Sequence, residues 1–276
     1  MTNPRPTPPA GSWWTTPRRP SHARLTLVCL PHAGAGASSY FAWGAALQPE
    51  GIEVRAVQYP GRENRLAEPL IDTAPRMVQA LANVWPALGG NGACALFGHS
   101  MGALLAFELA LELRRRGTAN PPQRLFLSGR NPPGTPLKKP PIHHVPDAEF
   151  RREIATRYGS LPPEVLADSE MLALVTPILR ADFKLVDTYR PTAAPPLETP
   201  LEVFGGTDDP WTTAAELDQW RAHTRGECRV RLFRGDHFFH QKARDEVIAA
   251  VRAELAPSLR AETGRDERLP MFPVLP

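Results

Sequence analysis

The chain has 276 residues, enough for one large domain with a sizeable core or for one domain that carries an insertion. Hydrophobic residues make up 42% of it and charged residues 22%, as in ordinary globular proteins. A net charge of +3 is too small to indicate nucleic-acid binding by itself. The N-terminal residues lack the apolar core of a signal peptide, and no run of about 18 apolar residues occurs. We therefore expect a cytoplasmic protein that neither spans a membrane nor binds nucleic acid.

Cysteine and histidine usage gives no sign of a metal site. The three cysteines, Cys29, Cys94 and Cys228, are too few and too scattered for a disulfide framework or a zinc site. Cys29 and Cys94 lie in apolar runs, which is typical of buried free thiols in a reducing compartment. We expect no metal and no other cofactor.

The 32 prolines concentrate at both ends of the chain and in two internal stretches. Proline-rich ends are usually unfolded, so residues 1–23 and 257–276 are predicted to be tails outside the core. Trp13 and Trp14 are exceptions within the N-terminal tail. Either they pack onto the body of the protein or they mediate a contact.

Short runs rich in apolar and β-branched residues recur along the chain, mostly apolar at successive positions. This pattern is typical of strands that are covered on both faces of a parallel sheet. The predicted strands lie at 24–30, 53–60, 93–100, 124–130, 200–206 and 228–234. Apolar spacing of three to four residues predicts helices between them, at 39–48, 74–88, 101–116, 212–224 and 241–255. The alternation predicts an α/β fold with a mostly parallel central sheet flanked by helices.

The alternation of strands and helices breaks after the fourth predicted strand. The segment NPPGTPLKKPPIHHVP is too rich in proline for regular structure, and two helical patterns follow it. We therefore predict a core made of residues 24–131 and 191–256. Residues 132–190 are predicted to form a helical insertion that is placed to act as a lid.

The segment LFGHSMGALLAFELALELRRRG places a serine between two glycines, after an apolar strand and before an apolar helix. Residues 98–102, GHSMG, match the G-x-S-x-G nucleophile elbow, in which the glycines permit a tight strand-to-helix turn. Ser100 would then lie at a helix N-terminus, where backbone N–H groups and the helix dipole favour developing negative charge. The alternative is that this serine simply starts a helix, but the strand before it and the long helix after it favour the elbow.

A serine hydroxyl needs a base to attack a carbonyl, normally a histidine that is oriented by a carboxylate. After an elbow of this kind, the carboxylate and then the histidine follow beyond the ends of later strands. The fifth predicted strand ends in GGTDDPW and the sixth ends before GDHFF. We predict Asp209 as the carboxylate, with Asp208 as the alternative, and His237 as the base, with His240 as its rival. His99 is expected to pack beside the site.

The oxyanion formed by such an attack needs two backbone N–H donors. Met101, directly after the serine, should supply one, and the loop at 31–36 the other. In that loop Ala33 is the first choice and Gly34 the second. Dinucleotide binding is the competing explanation for a glycine-rich loop after a first strand. The G-x-G-x-x-G pattern is absent, however, because Ser39 occupies the third glycine position.

Five motifs in this order, LPHAGAGASSYFAW, AVQYPGRENRL, LFGHSMGALLAFELA, FGGTDDPW and GDHFF, resemble the type II thioesterases. These are α/β hydrolases that accompany modular polyketide synthases and nonribosomal peptide synthetases, and the resemblance extends over about residues 24–256. It implies the α/β-hydrolase fold with a lid. It also places the family's nucleophile, carboxylate and histidine on Ser100, Asp209 and His237.

The resemblance implies hydrolysis of aberrant or stalled acyl groups from the phosphopantetheine arm of an acyl or peptidyl carrier protein, through an acyl-serine intermediate. Leu172, Val175, Leu179 and Phe183 would line an acyl pocket, or else merely anchor the insertion. The alternative function is that of a chain-releasing thioesterase or a general carboxylesterase of the same fold. A non-catalytic carrier-binding scaffold is least favoured. The oligomeric state is left open, with a monomer as one option.

Two positions depart from the family pattern: Ala35, where a second consecutive glycine is usual, and Asp236, where glycine is frequent. The first should shift the oxyanion loop slightly, and the second should alter the electrostatics of the neighbouring histidine. Three cations near the start of the insertion, Arg130, Lys138 and Lys139, are candidates for contact with an acidic carrier protein, or are simply solvated.

Overall fold

The computed structural model describes residues 13–158 and 167–266. The strands within these residues are β1 (Trp14–Thr15), β2 (Leu25–Leu30), β3 (Ile52–Val57), β4 (Ala93–His99), β5 (Leu125–Ser128), β6 (Leu201–Gly206) and β7 (Cys228–Phe233). They form one sheet in the order β1-β3-β2-β4-β5-β6-β7. Strand β1 runs antiparallel to β3, and every other neighbouring pair is parallel. The predicted α/β fold with a mostly parallel sheet is confirmed.

Helices connect most of the parallel strands, as the apolar spacing predicts. They are α1 (Phe41–Leu47), α2 (Ala74–Leu88), α3 (Met101–Arg115), α4 (Asp147–Tyr158), α5 (Ser169–Asp187) and α6 (Ala214–Asp218). Two more helices, α7 (Phe239–Lys242) and α8 (Arg244–Asp266), follow β7. The predicted helix at 212–224 is divided into α6 and a 3-10 helix, Gln219–His223. Among the described helices, none is long and apolar enough to cross a membrane.

Successive residues of the central strands face two different hydrophobic clusters. In β2, Leu25 and Leu27 pack in the cluster that contains residues of α1 and α8. Val28 and Leu30 pack in the cluster that contains residues of α2 and α3. Every residue of β2 is therefore buried, which explains the continuous apolar run in its sequence.

The N-terminal boundary of the core lies earlier than predicted. Trp14 pairs with Val57 in β3, and the Trp13 carbonyl accepts a hydrogen bond of 2.8 Å from the N–H of Gln58. Trp13 is 4% exposed. The proposed tail 1–23 must therefore be corrected from residue 13 onward, because the two tryptophans add an edge strand and a buried ring. The rest of that segment, before residue 13, lies outside the described residues.

The C-terminal boundary of the core also needs correction. Helix α8 continues to Asp266 instead of ending near residue 256. Val251, Leu255 and Leu259 recur every four residues and are all buried in the cluster shared with α1. This continuous apolar face keeps the helix docked beyond Pro257, where proline would otherwise favour a break.

The polypeptide between β5 and β6 carries α4 and α5, in agreement with the two helical patterns of the predicted insertion. The two helices share a small hydrophobic cluster that includes Phe150 and Ile154 from α4 and Leu179 and Phe183 from α5. Residues 159–166, between the helices, lie outside the described part of the chain. The lid role of the insertion stays a prediction.

Candidate active site

Ser100 lies at the turn between β4 and α3, at the carboxyl edge of the sheet. Its backbone angles are φ +53° and ψ −110°, a conformation that costs a non-glycine residue about 1–3 kcal/mol. The carbonyl of Ser100 accepts hydrogen bonds from the N–H groups of Ala103 (3.1 Å) and Leu104 (3.2 Å), while its own N–H donates to the Ser128 carbonyl (2.8 Å). Met101 is the first residue of α3, so its N–H has no acceptor within the helix.

The glycines on either side of Ser100 allow two backbone segments to approach very closely. A Cβ on Gly98 would lie 2.2 Å from the carbonyl oxygen of Gly102, and a Cβ on Gly102 would lie 2.0 Å from the carbonyl oxygen of Leu30. Both distances are far below van der Waals contact. The G-x-S-x-G spacing therefore reflects the packing of α3 against the ends of β2 and β4.

Asp209 and His237 lie side by side, beyond the ends of β6 and β7. The Nδ1 atom of His237 is 2.9 Å from Oδ2 of Asp209, and the two side chains are 6% and 0% exposed, respectively. The Thr212 hydroxyl also donates to Oδ2 (2.9 Å), and the Trp211 N–H donates to Oδ1 (2.8 Å). An ionised carboxylate only accepts hydrogen bonds, so this contact places a proton on Nδ1 and leaves Nε2 as a base.

The alternative carboxylate, Asp208, is in a different environment. It is exposed, and its Oδ2 accepts a hydrogen bond of 3.0 Å from the hydroxyl of Thr207. The structure thus brings Asp209, and not Asp208, to the imidazole of His237.

Two adjoining cavities share Ser100, His237, Phe183 and Arg130 in their walls. The serine and the histidine, which are distant in sequence, therefore face the same space at the carboxyl edge of the sheet. One of the two cavities extends to Ala33. A substrate carbonyl in this space would have access to the hydroxyl, the imidazole and the loop after β2.

The other cavity is lined by the cationic side chains of Lys138, Lys139 and Arg157. The Lys138 ammonium pairs with Glu216 (2.8 Å), and the Lys139 ammonium lies 5.7 Å from the ring centroid of Trp211. The Arg157 guanidinium pairs with Glu153 (2.7 Å), and Asp187 also lines the cavity. Together with Arg130, the four cations of this lining exceed these three carboxylates by one, so the approach to Ser100 carries a small surplus of positive charge.

The loop after β2 turns at Ala33 and Gly34. The Ala35 N–H donates to the His32 carbonyl (3.1 Å), and Gly34 has φ +81°, as the third residue of a type II turn requires. The Gly34 N–H already donates to Oδ2 of Asp182 (2.7 Å). Since Ala33 lines the cavity and the Gly34 N–H is engaged, the geometry favours Ala33 as the oxyanion donor.

A buried ion pair that the sequence did not predict joins this loop to the insertion. The two terminal nitrogens of Arg62, in the YPGRE motif, lie 2.6 and 2.7 Å from the two carboxylate oxygens of Asp182 on α5. The side chains are 3% and 0% exposed. Burial lowers the pKa of Arg62, but the charge and hydrogen bonds of Asp182 outweigh burial and leave that pKa raised. The sequence feature that could have indicated this ion pair is the charged residue Asp182, which interrupts the apolar face of α5 between Leu179 and Phe183.

The four apolar side chains proposed for an acyl pocket lie in different environments. Phe183 lines the cavity with Ser100. Leu179 packs in the small cluster of the insertion, and Val175 packs against that cluster. Leu172 is partly exposed. Acyl binding by these residues stays a prediction, for which Phe183 has the most direct placement.

Three further imidazoles pack near His237: those of His32, His99 and His240. The rings of His99 and His240 stack with centroids 3.7 Å apart, and the ring of His99 lies 5.1 Å from that of His237. Burial, followed by the charges of neighbouring groups, lowers the pKa of His32 to about 4 and the pKa values of His99 and His240 well below the usual range. His240, the rival base, thus stacks on His99, whereas His237 contacts Asp209.

Asp236, one of the departures from the family pattern, is neutralised locally. Its carboxylate pairs with Lys242 (2.6 Å) and accepts a hydrogen bond from the Phe238 N–H (3.0 Å). The hydrogen bond from Lys242 is the main reason that the pKa of Asp236 is lowered. Within the residues that the structure describes, no group of three or more His, Cys, Asp or Glu side chains is arranged to hold a metal ion.

Comparison with known proteins gives consistent matches over almost the whole chain. The model of the thioesterase domain family matches residues 25–255. The gramicidin S biosynthesis protein GrsT of Aneurinibacillus migulanus is 38% identical over 252 residues, which cover 90% of this chain and 96% of that protein. Thioesterase PikA5 of Streptomyces venezuelae is 35% identical over 230 residues, which cover 83% of this chain and 80% of that protein.

Solved structures agree with these sequence matches. ClbQ from the colibactin NRPS/PKS pathway superimposes with a TM-score of 0.80 at 32% identity, covering 87% of this chain and 99% of that one. The type II thioesterase BorB from the borrelidin biosynthetic cluster superimposes with a TM-score of 0.77 at 32% identity, covering 90% of this chain and 97% of that one. The chain therefore belongs to the type II thioesterases of nonribosomal peptide and polyketide biosynthesis, hydrolases with the α/β-hydrolase fold.

Proposed function

We propose that this protein is an editing thioesterase that hydrolyses stalled or aberrant acyl groups from the phosphopantetheine arm of carrier proteins. The observation that carries the proposal is the buried hydrogen bond between His237 and Asp209, beside a cavity that His237 shares with Ser100. Membership of the type II thioesterases supports the substrate class.

In the proposed acylation step, Nε2 of His237 takes the proton of the Ser100 hydroxyl as its oxygen attacks the thioester carbonyl. Asp209 keeps Nδ1 protonated and stabilises the imidazolium that forms. The N–H groups of Ala33 and Met101 bind the oxyanion, and each such donor contributes about 10²–10³-fold to the rate. The positive end of α3 adds to this stabilisation.

Collapse of the tetrahedral intermediate then breaks the C–S bond, and the pantetheine thiol leaves with the proton from His237. A thiol with a pKa of about 8.5 is a better leaving group than an alcohol or an amine. A water molecule, deprotonated by the same histidine, attacks the acyl-serine. This step regenerates the Ser100 hydroxyl and releases a free carboxylic acid.

The cations around the cavity support a carrier-bound substrate. Phosphopantetheine brings a negatively charged phosphodiester to the mouth of the site, and Lys138, Lys139 and Arg157 line that approach. Unlike charges attract as the partner approaches, which raises the rate of association more than it raises the final affinity. An uncharged oxygen ester would gain nothing from these residues.

The substrate class can be tested with purified protein and a panel of acyl-carrier thioesters, from short to long chains, compared with matched oxygen esters. We expect kcat/KM to be at least about tenfold higher on the carrier thioesters, and we expect Ser100→Ala to lose about 10⁴-fold or more. Equal or higher activity on the oxygen esters would instead identify a general carboxylesterase.

The contribution of the cationic mouth can be tested with Lys139→Glu. We expect KM for an acyl-carrier thioester to rise about three- to tenfold, while KM for an acyl-pantetheine without phosphate or carrier changes little. Arg260→Glu is a matched control, since Arg260 is an exposed cation on α8. This helix packs in the cluster with α1, and none of its described residues lines the cavity at Ser100. The carrier contact would be rejected if both variants changed KM equally.

A further inference from the structure

The Arg62–Asp182 ion pair connects three segments that are far apart in sequence. Arg62 lies in the loop after β3, Asp182 lies on helix α5 of the insertion, and both contact the loop after β2. Leu179 lies three residues before Asp182 and four residues before Phe183, so it shares one side of α5 with both. That face therefore touches the proposed oxyanion loop and the cavity together.

The ion pair contacts the backbone on both sides of the peptide unit that joins Gly34 to Ala35. Oδ2 of Asp182 accepts a hydrogen bond from the Gly34 N–H (2.7 Å), and Nη1 of Arg62 donates to the Ala35 carbonyl (3.1 Å). Leu179 closes over the same turn, because a Cβ on Gly34 would lie 2.5 Å from its Cδ2. These contacts thus fix the backbone at Gly34 and Ala35, directly after Ala33, whose N–H is the proposed oxyanion donor.

Stability by itself does not explain a pair of this kind. Removing two charges from water is so costly that buried ion pairs can often be replaced by apolar residues of similar volume without loss of stability. The pair is almost completely enclosed, and Nε of Arg62 has no hydrogen-bond partner among the described residues. What this ion pair can provide, despite the free energy needed to bury two charges, is a fixed geometry of the loop after β2.

We propose that Arg62 and Asp182 are positioning residues of the active site: their ion pair holds the turn so that the Ala33 N–H faces the oxyanion, and it docks α5 against that turn. The inference rests on the proposed function, because the oxyanion is formed by attack of Ser100. Neither residue takes part in proton transfer. Both act through the backbone of the loop.

The expected effect follows from the role of the donor. Loss of one oxyanion-hole donor lowers kcat by about 10²–10³-fold. Because the donor binds the transition state better than the ground state, KM should change by less than about threefold. A role in substrate binding would have the opposite signature, with a raised KM and an unchanged kcat.

The test uses the full-length double variant Arg62→Met/Asp182→Leu with a short acyl-pantetheine thioester. We expect a Tm within about 5 °C of the wild type, together with a fall in kcat of about 100-fold or more. Asp72→Asn is the matched control, because Asp72 forms an exposed ion pair with Lys184 of the same helix (2.6 Å). We expect this variant to stay within about twofold of the wild type in kcat.

A fall in kcat of less than about tenfold in the folded double variant, or an increase in KM in place of that fall, would overturn the proposal. If the double variant does not fold, the same thresholds apply to Asp182→Ala, which removes both acceptor oxygens and so releases the Gly34 N–H. Ser100→Ala is measured in parallel. Full activity of that variant would refute the proposed function itself, which separates the two outcomes.

Discussion

The neutral histidines beside the active site predict a specific sensitivity to acid. Burial, followed by the charges of His237 and Arg62, lowers the pKa of His32 to about 4 in the folded state. In the unfolded chain its pKa returns to about 6.5. As pH falls below that value the unfolded state binds a proton that the folded state does not, so stability present at neutral pH is lost.

The size of this loss can be worked out for a change from about pH 7.5 to about pH 5.5. At the lower pH, protonation of His32 stabilises the unfolded state by about 1.4 kcal/mol, while the folded state remains neutral. This figure is an upper limit, because the residue keeps some exposure to solvent. The lowered pKa values of His99 and His240 also decrease stability as pH falls. Glu202 acts in the opposite direction, because burial and the charge of Glu254 raise its pKa to about 7.

A comparison of variants separates these contributions. Urea unfolding of the wild type and of His32→Gln at both pH values gives the pH-dependent loss of stability for each protein. We expect the loss to be smaller in His32→Gln by about 1 kcal/mol, with the contribution of Glu202 cancelling between the two proteins. His22→Gln controls for removal of an exposed imidazole. An identical or larger loss in His32→Gln would refute the reasoning.

Two further predictions concern the elbow and the carboxylate. Asp209→Asn should lower kcat/KM by about 10³–10⁴-fold in initial-rate assays, because an amide no longer fixes the imidazole tautomer, whereas Asp208→Asn should stay within about threefold; equal losses would contradict the assignment. Gly102→Ala should lower the Tm in thermal unfolding by about 5 °C or more, because its Cβ would lie 2.0 Å from the Leu30 carbonyl oxygen. Gly92→Ala is the control, since its nearest heavy atom would be 3.9 Å away; similar Tm values for both variants would show that the elbow tolerates a side chain.

Sequence patterns predicted those parts of the structure that depend on local order along the chain. The continuous apolar run of β2 predicted burial on both faces, and its alternate residues do face two separate clusters. The same holds for the turn at Ser100, whose two glycines are required by contacts with neighbouring backbone. The proximity of Asp209 and His237 followed from the rule that the carboxyl ends of parallel strands meet at one edge.

Features that depend on tertiary packing were not predictable in this way. Strand β1 has two residues, too few to show a periodic pattern, and it exists because Trp13 finds a buried site beside β3. Helix α8 passes Pro257 because its apolar face is already docked. The pairing of Arg62 with Asp182 joins positions 120 residues apart. No local spacing encodes such a contact.

The central claim is that Ser100 is acylated during turnover, and mass spectrometry tests it most directly. An acyl-carrier thioester is mixed with the protein, the reaction is quenched during the first turnovers, and the acyl group is located by peptide mapping. We expect the acyl mass on the peptide that contains Ser100, and neither that mass nor turnover above background in Ser100→Ala. An acyl group on another residue, or near-normal hydrolysis by Ser100→Ala, would contradict the claim.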